Sequence, residues 1–208
     1  MLSSKLVKWA GAANIAAGLM TAVFWFIHPN PQLNDLAART TGRWTFVYGM
    51  FVFVLILTLF ALVGILAKQL DKAKALGIIG YILGSIGTAI FIGAGTFDGF
   101  VSPILAGNPL TQSLLDAKGP LLTHLSPLFI LGGLCFALGY ILLGISIMRA
   151  KVLPKYAGLL LILSGPILGL SPLMPAVART YGSLVFGLTN VWIGYAMWTE
   201  KDQAAVTG

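Results

Sequence analysis

The chain alternates long apolar runs with short polar interruptions. A membrane-spanning helix needs about 20 predominantly apolar residues. Six runs meet or approach that length: 7–27, 44–67, 75–97, 121–148, 153–171 and 178–198. None has the strict apolar–polar alternation of a membrane barrel. In lipid every backbone N–H and C=O must find its partner within the protein, so such runs form helices. The pattern predicts an all-α, polytopic membrane protein with six transmembrane helices, forming a single bundle over residues 1–208.

The longest interruption separates the third and fourth runs, from Gly93 to Pro127, and is flanked by a carboxylate and an imidazole, Asp98 and His124. It carries helix punctuation of its own. Asn108 suits an N-cap, Pro109 the first helical position, and Gly119-Pro120 a stop. Leu110, Leu114 and Leu115 oppose Gln112 and Asp116, which predicts a short amphipathic helix near 109–118 lying on the outer membrane surface. Such a helix either lids a cavity or connects two spans while resting on lipid.

The third run is shaped for close packing. Gly77, Gly80, Gly84 and Gly87 recur at helical spacing and share one face. Without side chains there, a neighbouring backbone can approach closely. Continued, that face carries Phe91, Gly95 and Asp98, which points Asp98 into the bundle. A faint repeat links the odd runs, which begin Lys8…Ala10-Gly11, Lys74…Leu76-Gly77 and Lys155…Ala157-Gly158. The even runs carry Gly64, Gly144 and Gly194 shortly before their closing charges. The repeat suggests three helical hairpins in tandem. Shared composition among short membrane hairpins is the other account. In the fifth run Gly165-Pro166 predicts a kink that serves packing.

Composition sharpens the picture. Of 208 residues, 58% are hydrophobic and 9% charged, where soluble domains carry about a quarter charged. The net charge of +7 does not point to nucleic acid, because the basic residues sit at the ends of apolar runs. Lys5, Lys8, Lys68, Lys72, Lys74, Arg149, Lys151, Lys155 and Lys201 fall on one side, and only Arg39, Arg43, Lys118 and Arg179 on the other. The positive-inside rule places the richer side, with both termini, in the cytoplasm of a multi-pass cell-membrane protein. His28, Asp35, Asp98 and His124 then face outwards. The first run resembles a signal peptide but ends in bulky Phe24, Trp25 and Phe26, which favours a retained first span. Cys135 is the one cysteine, so no internal disulfide forms.

The middle of the runs holds no Asp, Glu, Lys, Arg or His, which argues against ion-coupled transporters, proton pumps and voltage sensors. No zinc-protease, paired-cysteine, phosphate-loop or nucleophile-elbow motif is present. The remaining candidates lie at the outer edge. Asp98, near a helix C-terminus, is disfavoured by the helix dipole and calls for a cationic partner. His124, Arg43, Arg179 and Lys118 are the cations considered for that role, and Asp98, His124, Arg43 and Arg179 form the expected ligand-binding set. His28, Asp98 and His124 are the only candidates for a two-histidine, one-carboxylate metal site, and His28 with His124 for haem. Asn14, Thr88, Ser164 and Asn190 are expected to hydrogen-bond between helices. Trp44, Trp192, Trp198, Tyr48, Tyr181 and Tyr195 fall towards run ends, as in an aromatic belt.

Trp44 opening the second run, TFDGFVSP after the third, and the ending GYAMWTEK resemble a broad group of bacterial six-helix inner-membrane proteins of unknown function. The resemblance spans nearly the whole chain and implies the six-helix architecture. It implies no substrate, cofactor or catalytic residue.

Three functions are in play. The first is a bundle that binds a small or lipophilic ligand at an outer-facing cavity, in transport, sensing or carriage. The second is a non-catalytic accessory subunit of a larger membrane complex, motivated by the absence of recognisable chemistry and by the glycine-rich face. The third is a membrane metal or haem protein using the outer histidines and Asp98.

Overall fold

The computed structural model describes residues 4–29, 36–116 and 118–199. Asp35 and Lys201 lie outside them. All regular structure among the described residues is helical. The order is α1 (Ser4–Ile27), α2 (Leu36–Arg39), α3 (Gly42–Thr96), a π-helical turn (Phe97–Val101), α4 (Ser102–Ala106), a 3-10 turn (Gln112–Leu115), α5 (Pro120–Ala150), α6 (Lys155–Gly169), a second 3-10 turn (Ser171–Leu173) and α7 (Ala176–Trp198). Among the described residues, three helical stretches are long and apolar enough to cross a membrane: Ser4–Ile27, Gly42–Ala106 and Gln112–Ala150. Lys155–Gly169 is a shorter apolar helix.

Two predicted runs merge in α3. The polar stretch between them, Lys68 to Lys74, is rich in good helix formers and stays helical up to one residue, Lys74, with φ 50° and ψ −157°. Beyond it the chain doubles back. Leu62 lies against Gly84, Phe51 and Val52 against Gly95, and Tyr48 against Gly99. Residues 42–73 and 75–96 are therefore two antiparallel arms. Each of the long helices α1, α3, α5, α6 and α7 packs on the next, and α7 closes on α1. Leu62, Phe136, Tyr140, Leu143, Phe186, Ile193 and Met197 fill the middle.

Glycines set the closest contacts. On α1 and α7, Gly11 faces Gly194 and Gly18 faces Gly187, each glycine lying against the other's carbonyl. On α5 and α6, Gly133 faces Gly169 and Gly144 faces Gly158 in the same way. Of the residues matched by the sequence repeat, Gly11 with Gly194 and Gly158 with Gly144 meet equivalently, whereas Gly64 meets Ala10 and Gly77 meets Ser146. Both reciprocal seams run between the expected hairpins rather than within them.

Two local expectations give way. Between 109 and 118 the described helix is one 3-10 turn, not an amphipathic α-helix. Asn108 Oδ1 accepts from the Leu110 N–H, while Thr111 Oγ1 and the Gln112 amide donate back to the carbonyls of Leu105 and Ala106. The side chains thus close off α4 instead of starting a new helix. Leu115 is buried and Leu110 exposed. The polar residues within the apolar helices also behave differently. Thr88, Ser164 and Asn190 bond to carbonyls four residues back on their own helices. Each of these three thus has a partner within its own helix, and Thr88 also reaches Tyr140 on α5.

Candidate functional site

The site forms where the second arm of α3 ends. An α-helix closes its bonds four residues apart, but here the register widens: the Ser102 N–H bonds to the Phe97 carbonyl. The Asp98 carbonyl is thereby released from the ordinary ladder. It accepts from Trp44 Nε1 at 2.6 Å and from Ser102 Oγ at 3.0 Å. Such π-turns cost helix regularity and recur at functional sites.

The opposing wall comes from the start of α3. Thr41 caps that helix, its hydroxyl accepting from the Trp44 N–H at 3.3 Å. From this cap Trp44 and Tyr48 project one turn apart from the same face, with ring centroids 4.9 Å apart. Gly99 is needed opposite them: a Cβ there would lie 2.8 Å from Tyr48 Cβ. His28, just past α1, enters from the side and is 6% exposed. Its Nε2 hydrogen-bonds Tyr48 Oη at 3.2 Å, and its ring lies 4.9 Å from Trp25 and 5.3 Å from Trp44.

Charge completes the cluster. Asp98 Oδ1 lies 3.5 Å from Arg39 Nη1, with the two side chains 31% and 10% exposed. The Arg39 guanidinium also sits 5.3 Å over the Trp44 ring. Arg179 on α7 is buried and places its guanidinium 4.7 Å over the Trp25 ring. Cation–π contacts of this kind contribute about 0.5–2 kcal/mol, more as water is excluded. Two arginines, a carboxylate and an imidazole thus gather among aromatic rings. Asp98 is the most open of them.

The expected residues separate into members and outsiders. Asp98 and Arg179 belong to the cluster. His124 does not pair with Asp98: it is exposed, and its Nδ1 lies 2.6 Å from the Pro120 carbonyl on its own helix. That bond gives the imidazole a local partner at the start of α5, and Arg39 takes the role proposed for His124. Arg43 is also turned elsewhere. Its Nε and Nη2 both donate to the Ile27 carbonyl, at 3.2 and 2.9 Å, closing the C-terminus of α1. Replacing Arg43 with Ala leaves that carbonyl without its fork. The expected cost is about 1 kcal/mol of stability, read as a modest fall in Tm with ligand response unchanged.

No group of three metal-ligating side chains assembles among the described residues. His28, Asp98 and His124 therefore do not form such a group: His28 is engaged by Tyr48 and His124 by the Pro120 carbonyl. The members missed by sequence reasoning are Arg39, Trp44, Tyr48 and Trp25. A signal existed in the four-residue spacing of Trp44 and Tyr48 behind the Thr41 cap. Both rings are buried rather than part of an interfacial belt, whereas Trp192, Trp198, Tyr181 and Tyr195 are exposed.

No protein-family profile, curated protein or solved structure matches the chain. The function must be argued from this cluster.

Proposed function

We propose that the protein is a six-span membrane bundle, with both termini cytoplasmic, that binds a small or lipophilic ligand at its outward-facing end. The apolar helices support a lipid setting, and the concentration of lysine at the opposite end supports the orientation. One observation carries the binding site: the π-turn that holds Asp98 against Arg39 beneath a wall of aromatic rings. Burying charged groups at the end of an apolar bundle is expensive, and such residues mark functional sites by default.

The chemistry suits an amphiphile. The Asp98 carboxylate and the Arg39 guanidinium meet a polar head. Trp25, half-buried, offers flat apolar surface to the remainder, while the buried Trp44 and Tyr48 rings hold Arg39 and His28 in place and Arg179 packs on Trp25. The role is transport, sensing or carriage rather than catalysis. The accessory-subunit reading keeps the absence of a recognisable catalytic motif as its motive but loses the glycine face, which packs inside the bundle against α5.

Thermal unfolding across a panel of lipids and metabolites tests the reading on three proteins: wild type, Asp98→Asn and His28→Gln. At least one ligand class should raise the Tm of the wild type by several degrees, and Asp98→Asn should lose most of that shift. Equal shifts in all three proteins, or none across the panel, would contradict it.

A further inference from the structure

At the opposite end of the bundle, the turn between the two arms of α3 meets the C-terminal end of α5. A cavity of about 260 Å³ opens there, lined by Lys72, Ala73, Lys74, Leu76, Ser146 and Arg149. Three of its six lining residues are cations and none is acidic. Asp71, the one acidic residue between 68 and 76, is exposed and does not line it. Lysines at membrane ends ordinarily follow topology alone. Three further observations separate this cavity from that background.

The first is the backbone of Lys74. At φ 50° and ψ −157° it occupies a region that is strained for any residue bearing a Cβ and favoured by glycine. Glycine would make this turn without strain, yet a lysine stands there, and it is one of the residues lining the cavity. The second is the floor. Ser146 Oγ donates to Gln69 Oε1 at 3.3 Å, and Gln69 is 1% exposed with its Nε2 lacking a hydrogen-bond partner. A buried amide donor therefore stands behind the hydroxyl. The third is rigidity. A Cβ at Gly77 would lie 2.7 Å from Ser146 Oγ, so the second arm and α5 are in close contact beside the cavity.

We infer that this cavity is a binding site for the phosphate of an anionic lipid headgroup. Lys72, Lys74 and Arg149 supply the charge and Arg149 a forked donor, while Ser146, its proton held by Gln69, forms part of the wall. The volume is slightly below the about 300 Å³ of pockets that enclose a whole small molecule. It fits a headgroup whose chains remain in the bilayer. The inference rests on the lipid setting of the bundle but not on the Asp98 cluster, so either site can fail without the other. Basic pockets between helices at a cytoplasmic face recognise lipid headgroups by this chemistry.

The full chain, purified in neutral detergent, is titrated with phosphatidylglycerol, with phosphatidylcholine and with inorganic phosphate, following Tm and lipid adducts by native mass spectrometry. Phosphatidylglycerol should raise Tm and give a bound adduct, while phosphatidylcholine should do neither. Inorganic phosphate should give at most a small shift. Removing one cation should weaken phosphatidylglycerol binding about fivefold. Arg149→Gln and Lys72→Gln test this, and Arg149→Lys should retain most of it. Lys74→Gly is the most informative variant. It relieves the strained turn, so its basal Tm should rise while its lipid response falls. Equal responses to the two lipids, a full phosphatidylglycerol response in Lys74→Gly and Arg149→Gln, or an equal Tm shift with inorganic phosphate alone would each overturn the assignment.

Discussion

Replacing Gly18 with Val should unseat α1 from α7 and produce the largest stability loss of any single change considered. A Cβ at Gly18 would lie 2.5 Å from the Gly187 carbonyl oxygen and 2.8 Å from the Val191 backbone nitrogen. Both obstacles are main chain of the partner helix, so no rotamer can yield. The helices must part, and the reciprocal contact of Gly11 with Gly194 on the same seam parts with them. In lipid there is little hydrophobic drive to hold two helices together, and van der Waals packing does most of that work. Overpacking a well-fitted interior costs about 1–3 kcal/mol when side chains can adjust. Here they cannot, so the loss should be at least about 3 kcal/mol. Thermal unfolding in detergent should show a fall in Tm of at least about 6–12 °C or failure to recover folded protein. Gly93→Val is the control. Nothing lies within 4 Å of a Cβ at Gly93, and its Tm should change little.

The second large effect concerns Arg39 and Asp98. Removing one partner of a fully buried ion pair costs about 3–5 kcal/mol, because the other charge is stranded. The Asp98 side chain keeps 31% of its exposure, so water relieves part of that penalty. Arg39→Met should cost about 2–3 kcal/mol on this reasoning, including the lost contact over Trp44. Asp98→Asn should cost less, since the amide still accepts from Arg39. The double variant should lose clearly less than the sum of the two, with a coupling of about 1–2 kcal/mol. Strict additivity in a double-mutant cycle would show that the pair is incidental, and the site would lose its electrostatic centre.

The helices themselves were legible because apolar length determines them. The runs 121–148 and 178–198 correspond to Pro120–Ala150 and Ala176–Trp198. The turn between the second and third runs was legible as a polar gap but not as a single residue. Lys68 to Ala73 satisfy helical propensity and extend the first arm beyond its apolar boundary, and only Lys74 leaves the helix. The glycine face was read correctly as a packing face. Gly77, Gly80 and Gly87 lie against α5, and Gly95 against the first arm.

The site was half legible. A carboxylate at the end of an apolar helix announces a need for a counter-charge, and spacing pointed Asp98 inwards. Spacing could not choose among the cations. Arg39 comes from a four-residue helix, Leu36–Arg39, next to chain outside the described residues, and such a short element leaves no periodic pattern to read. His124 was the natural alternative by sequence proximity, but a local bond to Pro120 holds it away. The π-turn was also invisible. It inserts a widened register within an unbroken helical pattern, and it does so through packing of Gly99 on Tyr48 and capture of the Asp98 carbonyl by Trp44.

The central claim is that the Asp98 cluster holds a ligand. Native mass spectrometry of protein released gently from its membrane tests that claim most directly, comparing wild type with Asp98→Asn and with Arg149→Gln as a control at the opposite end. The account predicts a small-molecule or lipid adduct that is present in the wild type, retained in Arg149→Gln and lost in Asp98→Asn. Identical spectra for wild type and Asp98→Asn, with or without an adduct, would contradict it.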